Sequence, residues 1–378
     1  MVVGVLLPSS STHPLIPHDF MAGIRASLKH ISSPVTLVPG YVGFGASADT
    51  VKAEAEKLIL EHDPDMIIAF LDHPIADTLF SLMEQLNKVL LVVNNGAKYA
   101  VAWKAPANVY FHTLENAYLS SLTSSYLSSQ TAGATMATSY YDGGYSLCHA
   151  LTQPFIDNGG QILYNFAGSF KLAEFNTSAM SSFIRENAEV DAVLTVLSGE
   201  LLAPFYQQLA EALPDRELRF YGSPVTIEET IGLGADFPAA FAIEGFTGWY
   251  NNSGLEENTT FSAKMRGVFK EPNAFSALGW DTGLILQQFF QLKEAGALLH
   301  ALPQGSVKEL GGAKGTLRFH EESHHFTGDA YLLKHSSTSG TELLQALSSD
   351  EGSNIMNKMI TQKIEGMTSG WLNTYLCS

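Results

Sequence analysis

The chain has 378 residues, of which 46% are hydrophobic, so it is long enough and apolar enough to form two lobes with separate cores. Its 38 acidic and 21 basic residues give a formal net charge of −17, and a protein this acidic should repel nucleic acids and anionic membranes. No apolar run reaches the length of about 18 residues that a membrane span requires, so no direct membrane insertion is expected.

The amino-terminal residues MVVGVLLPSSS enter an apolar strand at once, without the basic region and cleavage site of an export signal. Either the protein is cytoplasmic, or Met1 stands where a signal peptide was removed. Cysteine usage does not decide the compartment, because only Cys148 and Cys377 occur and the sequence leaves open whether they pair.

In the first part of the chain, short apolar strands alternate with amphipathic helices. The pattern predicts strands over 2–7, 35–41, 66–71 and 89–95, and helices over 18–31, 47–62 and 74–87. Because these strands are apolar throughout and are separated by helices, they indicate a parallel sheet covered on both faces.

After residue 110 the same alternation begins again. It predicts helices over 117–129, 144–157, 176–187 and 200–213, and strands over 133–141, 161–168, 191–199 and 219–224. The two parts share no residue-level identity, so the repeat is architectural. The fold class predicted is α/β, with two doubly wound parallel-sheet lobes in tandem.

The rest of the chain leaves the second lobe and returns to the first. A strand over 239–250 precedes helices over 256–270 and 274–295. The tail over 336–378 combines a Ser/Thr/Gly-rich linker with two short amphipathic pieces.

Residues 320–324 read HEESH, which matches the H-E-x-x-H pattern of zinc proteases. That pattern binds zinc only on a helix, where His320 and His324 would share one face. Here Leu317 and Phe319 alternate with polar neighbours, which is the period of a strand, and glycines flank the stretch. We therefore interpret it as a strand, a polar loop and a second strand, and predict no metal site.

The sequence contains none of the motifs that would indicate a nucleotide-dependent enzyme or a nucleophile elbow. Neither G-x-G-x-x-G, nor the P-loop pattern, nor G-x-S-x-G occurs, so no cofactor is predicted. A hydrolase in which Asp72 and His73 activate a hydroxyl of Ser9–Ser11 stays open as an alternative.

Polar residues follow the predicted strands at their carboxyl ends, where ligands bind in open α/β sheets. In two facing lobes such ends would line a cleft that suits a small polar molecule. The candidate ligand-binding residues are Ser9, Ser10, Asp72, His73, Asn94, Asn95, Tyr141, Ser198 and Ser223.

Several stretches in order resemble the type I periplasmic binding proteins of the branched-chain amino-acid (Leu/Ile/Val) receptor family. They are VGVLLPSS, HDFMAGIRASL, DPDMIIAFLDHPIADTL, NKVLLVVNNG, TSYYDGGYS, NAFSALGWDTGLIL and GTLRFHEESHHFTGDAYLL, and they extend over residues 2–335. The resemblance implies that Tyr145 is also a ligand-pocket residue. Where amino-acid binders of this family have a serine and an Ala-Thr pair, this chain has Asp72-His73 and Asn94-Asn95-Gly96.

The resemblance implies a solute-binding protein that closes around its ligand by a hinge motion of three strands. The expected lobes are 1–113 with 249–322 and 119–244 with 328–378, with crossovers near 114–118, 245–249 and 320–329. We expect a monomer that is no enzyme, that is periplasmic in its mature form and that delivers a small polar ligand to an ABC permease. The alternative is a cytoplasmic ligand-sensing regulator on the same fold.

Overall fold

The computed structural model describes residues 1–11, 13–98, 106–139, 146–268, 270–296 and 309–351. From the amino terminus, the elements are β1 (Val2–Leu7), α1 (Ile16–His30), β2 (Thr36–Tyr41), α2 (Ala48–His62), β3 (Met66–Phe70), α3 (Phe80–Gln85), β4 (Val89–Asn94) and β5 (Val109–Thr113). Helix α2 begins at Ala48, and Ser47 caps it with its hydroxyl, which accepts a hydrogen bond from the Thr50 N–H.

The next elements are α4 (Asn116–Leu127), β6 (Gly133–Ser139), α5 (Ser146–Asp157), β7 (Gln161–Gly168), α6 (Ser178–Glu186), β8 (Ala192–Thr195), α7 (Leu202–Ala212), β9 (Leu218–Gly222), α8 (Pro224–Leu233) and β10 (Phe241–Thr247). The last are α9 (Glu256–Arg266), α10 (Ala274–Glu294), β11 (Glu309–Gly312), β12 (Gly315–His320), β13 (His325–Thr327), β14 (Ala330–Ser336) and β15 (Gly340–Leu347). None of these helices is both long and apolar enough to cross a membrane.

The chain forms two compact units. The first comprises Met1–Leu114 and Trp249–Asp329, and the second comprises Glu115–Gly248 and the described residues from Ala330 onward. Within the described residues, the chain therefore passes from one unit to the other three times.

Each unit is built on one sheet, and the two sheets share a strand order. The first has the order β11-β12-β13-β5-β4-β3-β1-β2, and the second has the order β15-β14-β10-β9-β8-β6-β7. In each, the five consecutive strands from β1 to β5 or from β6 to β10 are parallel and follow the order 2-1-3-4-5. The two doubly wound α/β sheets predicted from the alternation are confirmed.

Several elements differ from the predictions. Strands β5 and β11 were not predicted, and neither was helix α8, which begins at Pro224 directly after the capping residue Ser223. Residues 340–347, expected to belong to a linker and an amphipathic piece, form the edge strand β15. Its side chains are mostly exposed, so its apolar residues carry little of the burial signal that marks a strand.

The cores lie between these sheets and their helices. In the first unit, Leu6, Ile67 and Leu90 pack against Leu58 of α2. In the second, a cluster of aromatic rings from α7, β9 and β10 includes Tyr206 and Phe220, whose centroids lie 5.0 Å apart in an edge-to-face arrangement.

Helices α1 and α10 of the first unit touch backbone to backbone. A Cβ atom on Gly279 would collide with the carbonyl oxygen of Phe20, and one on Gly23 would collide with the carbonyl oxygen of Ser276. Because backbone atoms cannot move aside as a flexible side chain can, both positions require glycine.

Asp281 joins α10 to the strands at the far edge of the first sheet. Its carboxylate is fully buried and accepts hydrogen bonds from the backbone N–H groups of Ala313 (2.6 Å) and Lys314 (3.2 Å). The Lys314 ammonium, also buried, donates to the Thr113 carbonyl oxygen at 2.6 Å. Buried charges are tolerated where they are hydrogen-bonded in this way.

We predict that Gly279→Ala lowers the free energy of unfolding by about 1–3 kcal/mol, because the added methyl group forces α1 and α10 apart. The matched control is Gly232→Ala in α8, where an added Cβ meets no atom within 4 Å. That variant should be neutral or gain up to about 1 kcal/mol from helix propensity. Denaturant unfolding followed by circular dichroism measures both, and equal effects would contradict the packing argument.

Candidate functional site

The strand order of the first unit places a crevice at the carboxyl ends of β1 and β3. These two strands are neighbours, but the helices that follow them cover opposite faces of the sheet, so the loops diverge there. Ser9 and Ser10 follow β1, Asp72 and His73 follow β3, Asn94 is the last residue of β4, and Asn95 comes directly after it. The fold therefore brings all six predicted residues of this unit to one edge of one sheet, here called the unit 1 edge.

The serines after β1 belong to a tight turn. The Ser9 N–H donates to the Gly43 carbonyl oxygen at 2.6 Å, and the Ser9 side chain is exposed. Ser10 is buried, and its hydroxyl accepts a hydrogen bond from the His13 N–H at 2.9 Å. Ser10 thus shapes the loop, whereas Ser9 presents its side chain to solvent.

The two asparagines hold the neighbouring loops in place. The Asn94 amide donates to the Leu71 carbonyl oxygen at 2.9 Å and accepts from the Gly96 N–H at 2.8 Å. The Asn95 side-chain oxygen accepts from the Ala97 N–H at 3.1 Å. Asn94 therefore connects the loop after β3 to the loop after β4, a positioning role that its place in the sequence alone did not indicate.

Asp72 is the most unusual group at the unit 1 edge. Its side chain is 7% exposed, and neither carboxylate oxygen has a hydrogen-bond partner in the described part of the chain. Burial raises the pKa of Asp72 to about 6, although the nearby charges of Lys98 and His73 act to lower it. Keeping this carboxylate ionised at neutral pH costs roughly 3 kcal/mol of folding free energy.

Lys98 was missed by the sequence analysis. It lies just beyond the predicted Asn-Asn-Gly loop and interacts electrostatically with Asp72. Its partial burial lowers the pKa of the Lys98 ammonium, and the charge of Asp72 opposes that shift. The sequence did contain a signal for Lys98, since it is a basic residue two positions after a loop that already carried two candidate ligand-binding residues.

His73 is held by groups of its own unit. Its Nδ1 lies 2.5 Å from the Asp77 carboxylate oxygen Oδ1, and its ring packs against Phe111 with centroids 5.6 Å apart. A hydrolase would need this imidazole to accept a proton from a serine hydroxyl. In the structure, the Asp77 carboxylate is hydrogen-bonded to Nδ1 and orients the ring, as the aspartate of a catalytic triad does.

In the second unit, the serines follow β8 and β9. Ser198 is half-buried and precedes a 3₁₀ turn, whose Gly199 N–H donates to the Glu229 carboxylate at 2.5 Å. Ser223 is fully buried, and its hydroxyl caps α8 by accepting from the Thr226 N–H at 3.3 Å. Tyr141 and Tyr145 lie outside the described residues.

The HEESH stretch forms the predicted hairpin. His320 ends β12, His325 begins β13, and the two strands pair antiparallel through a turn that contains His324 in the left-handed backbone region (φ 56°). No three His, Cys, Asp or Glu side chains in the described ranges are grouped so that they could hold a metal ion.

His325 is part of the core instead. It stacks on Phe111 with ring centroids 4.6 Å apart, and its Nδ1 lies 2.8 Å from the Ser323 carbonyl oxygen. Burial lowers the pKa of His325 to about 3, and burial with the nearby Lys314 charge also lowers the pKa of His112 well below its ordinary range. Both rings are therefore neutral in the folded protein at physiological pH.

Comparison with known proteins gives a consistent family. The family model described as periplasmic binding protein matches residues 2–340 of this chain. No curated protein matches the chain by sequence.

Solved structures share the architecture at low identity. A solute-binding protein of an ABC transporter from R. palustris, in complex with benzoate, has a TM-score of 0.71 at 17% identity, over 92% of this chain and 96% of that one. An ABC transporter substrate-binding protein from Sphaerobacter thermophilus has a TM-score of 0.75 at 16% identity, over 92% and 98%. An amino acid ABC transporter substrate-binding protein from Pseudomonas fluorescens Pf-5 has a TM-score of 0.71 at 12% identity, over 98% of each chain.

We predict that Asp72→Asn raises the free energy of unfolding of the ligand-free protein by up to about 3 kcal/mol at pH 7, because the amide carries no charge to desolvate. The folded-state pKa of Asp72 is raised from 3.8 to about 6, so stability is lost as the pH rises through this window. The gain should therefore shrink below pH 6 and disappear below pH 3.8. Denaturant unfolding at several pH values measures it.

Asp63→Asn is the matched control, since the Asp63 side chain is 89% exposed and asparagine suits its left-handed helix-ending conformation. It should change stability by no more than about 0.5 kcal/mol. A destabilised Asp72→Asn protein at pH 7 would show that the carboxylate is not the strained group.

We predict that His325→Phe reduces the acid sensitivity of the protein. A histidine whose folded pKa is lowered from 6.5 to about 3 stabilises the fold above pH 6.5, and this contribution is lost as the pH falls toward 3. Between pH 7 and pH 5 the variant should lose about 2 kcal/mol less than the parent. His62→Gln, at an exposed position, should leave the pH profile unchanged, and identical profiles for His325→Phe and the parent would refute the assignment.

Proposed function

This chain belongs to the periplasmic binding protein family, and we propose that it is a receptor that captures a small polar ligand and delivers it to the permease of an ABC importer. The ligand is an amino acid, an amide or a small carboxylate. The protein acts as a monomer outside the cytoplasm, in a mature form from which a signal peptide has been removed.

The unpartnered Asp72 carboxylate is the observation that carries this proposal. A buried polar group without a partner destabilises a protein, and such strain is retained where a ligand relieves it. Asp72 also lies at the crevice between β1 and β3, where ligands of doubly wound sheets bind.

The residues of the unit 1 edge divide into two roles. Asp72 and Ser9 contact the ligand, because the carboxylate has no partner and the serine side chain is exposed. Ser10, His73 and Asn94 position these loops through the hydrogen bonds that they make within the unit.

Asn95 and, in the second unit, Ser198 complete the set of proposed ligand-contacting residues, together with Tyr141 and Tyr145. Ser223 acts through the helix that it caps. Similar structures with small molecules bound, including benzoate, support a ligand of this size.

The proposal assigns binding without chemical conversion. Screening by thermal shift should find a ligand among amino acids, carboxamides, small carboxylates and aromatic acids. A ligand at 100 times its dissociation constant should stabilise the protein by about 2.7 kcal/mol. Mass spectrometry should recover that ligand unchanged.

NAD and ATP serve as controls and should give no shift, because the chain has neither phosphate-binding motif. Conversion of the ligand would contradict the receptor function and favour a hydrolase. Fractionation of the producing cell and size-exclusion chromatography check the compartment and the monomer, and recovery in the cytoplasm would favour a ligand-sensing regulator.

A further inference from the structure

Two opposite charges lie near each other at the unit 1 edge without being joined. Asp72 follows β3 and Lys98 follows the adjacent strand β4, and each changes the pKa of the other through its charge. Neither a salt bridge nor a hydrogen bond connects the two side chains within the described structure, and both Asp72 oxygens are without a donor.

This arrangement is unfavourable in the protein alone. Opposite charges taken out of water normally approach each other until they form hydrogen bonds, because only then does their attraction offset the loss of hydration. Elsewhere in the same unit, buried charges have hydrogen bonds to the backbone: the Asp281 carboxylate accepts from the Ala313 and Lys314 N–H groups, and the Lys314 ammonium donates to the Thr113 carbonyl oxygen. The separated pair therefore indicates a place for a group that comes from outside the chain.

The chemistry of the two side chains defines that group. An ionised aspartate only accepts hydrogen bonds, and a lysine ammonium only donates them. A carboxylate placed here would suit Lys98 but would be repelled by Asp72, and an amine would meet the reverse situation. A head group with a donor and an acceptor side by side satisfies both residues.

We propose that the unit 1 edge selects ligands whose head group donates a hydrogen bond to Asp72 and accepts one from Lys98. A primary carboxamide has this character, and so does an ammonium next to a carboxylate. The inference rests on the proposed receptor function and adds to it the class of head group, with Lys98 as a ligand-contacting residue.

The test compares matched triplets that share one hydrocarbon group and differ in the head. Acetyl, isovaleryl and benzoyl carboxamides are measured against the corresponding carboxylates and amines, and α-amino acids form a fourth arm. Isothermal titration at pH 8 gives each dissociation constant. For the hydrocarbon group that the site accommodates, we expect the carboxamide or the amino acid to bind at least roughly tenfold more tightly than the bare carboxylate or amine.

Two variants assign the preference to the named residues. Asp72→Asn replaces an acceptor by an amide that can also donate. The preference for the carboxamide ligand over the carboxylate ligand, measured as the ratio of their dissociation constants, should therefore fall by roughly tenfold or more. Lys98→Met keeps the chain length, removes the donor and should weaken the carboxamide and the amino acid by a similar factor. Asp63→Asn removes a charge at an exposed position of the same unit and should leave the ratios unchanged.

The outcomes separate the two proposals. If ligands bind but carboxylates bind as tightly as carboxamides, or if the ratios are the same in Asp72→Asn and Lys98→Met as in the parent, the head-group inference is wrong and the receptor function stands. If no compound in any arm binds, the receptor function fails and the inference fails with it. If the carboxamide and amino-acid arms differ, the tighter one identifies which of the two head groups the edge accepts.

Discussion

The desolvation of one carboxylate governs how the unit 1 edge is built. Asp72 is placed at the crevice by the order of β1 and β3, and it is kept without a partner because Asn94 and His73 direct their hydrogen bonds to Leu71 and Asp77. A loop that could relax would bring a donor to the carboxylate. The hydrogen bonds around Asp72 therefore leave both of its oxygens without a donor, at the expense of stability.

The scaffold beneath this edge is correspondingly rigid. The glycine contact between α1 and α10 leaves no space for sliding, and the Asp281 carboxylate attaches α10 to the turn before β12. The neutral His325 ring packed on Phe111 continues the same apolar interior below His73. Strain of this kind persists only where the surrounding structure fully determines it, and these contacts supply that determination.

Much of the fold could be predicted from the sequence because the spacing of apolar residues shows which side chains are buried. This spacing is clear in the buried strands and in the amphipathic helices. The hairpin at HEESH was predictable for the same reason, from the alternation at Leu317 and Phe319. The exposed edge strand β15 and the short helix α8 have weak periodicity and were missed. At the site, residue type and position were enough to predict which residues lie at the unit 1 edge. The hydrogen bond from the Asn94 amide to the Leu71 carbonyl oxygen, and the effect of Lys98 on Asp72, arise only when separate segments of the chain pack together.

The interleaved chain path has a consequence for synthesis at the ribosome. The five parallel strands of each sheet are contiguous in the chain, so those of the first sheet can pair once residue 113 has emerged and those of the second once residue 247 has emerged. Strand β5 of the first sheet pairs with β13, and α1 packs on α10, so that half-made domain keeps an open strand edge and an uncovered helix until about 200 more residues are translated. Nascent chains of this topology expose an aggregation-prone strand edge and an apolar helix face for a long interval, which makes early binding by a chaperone advantageous.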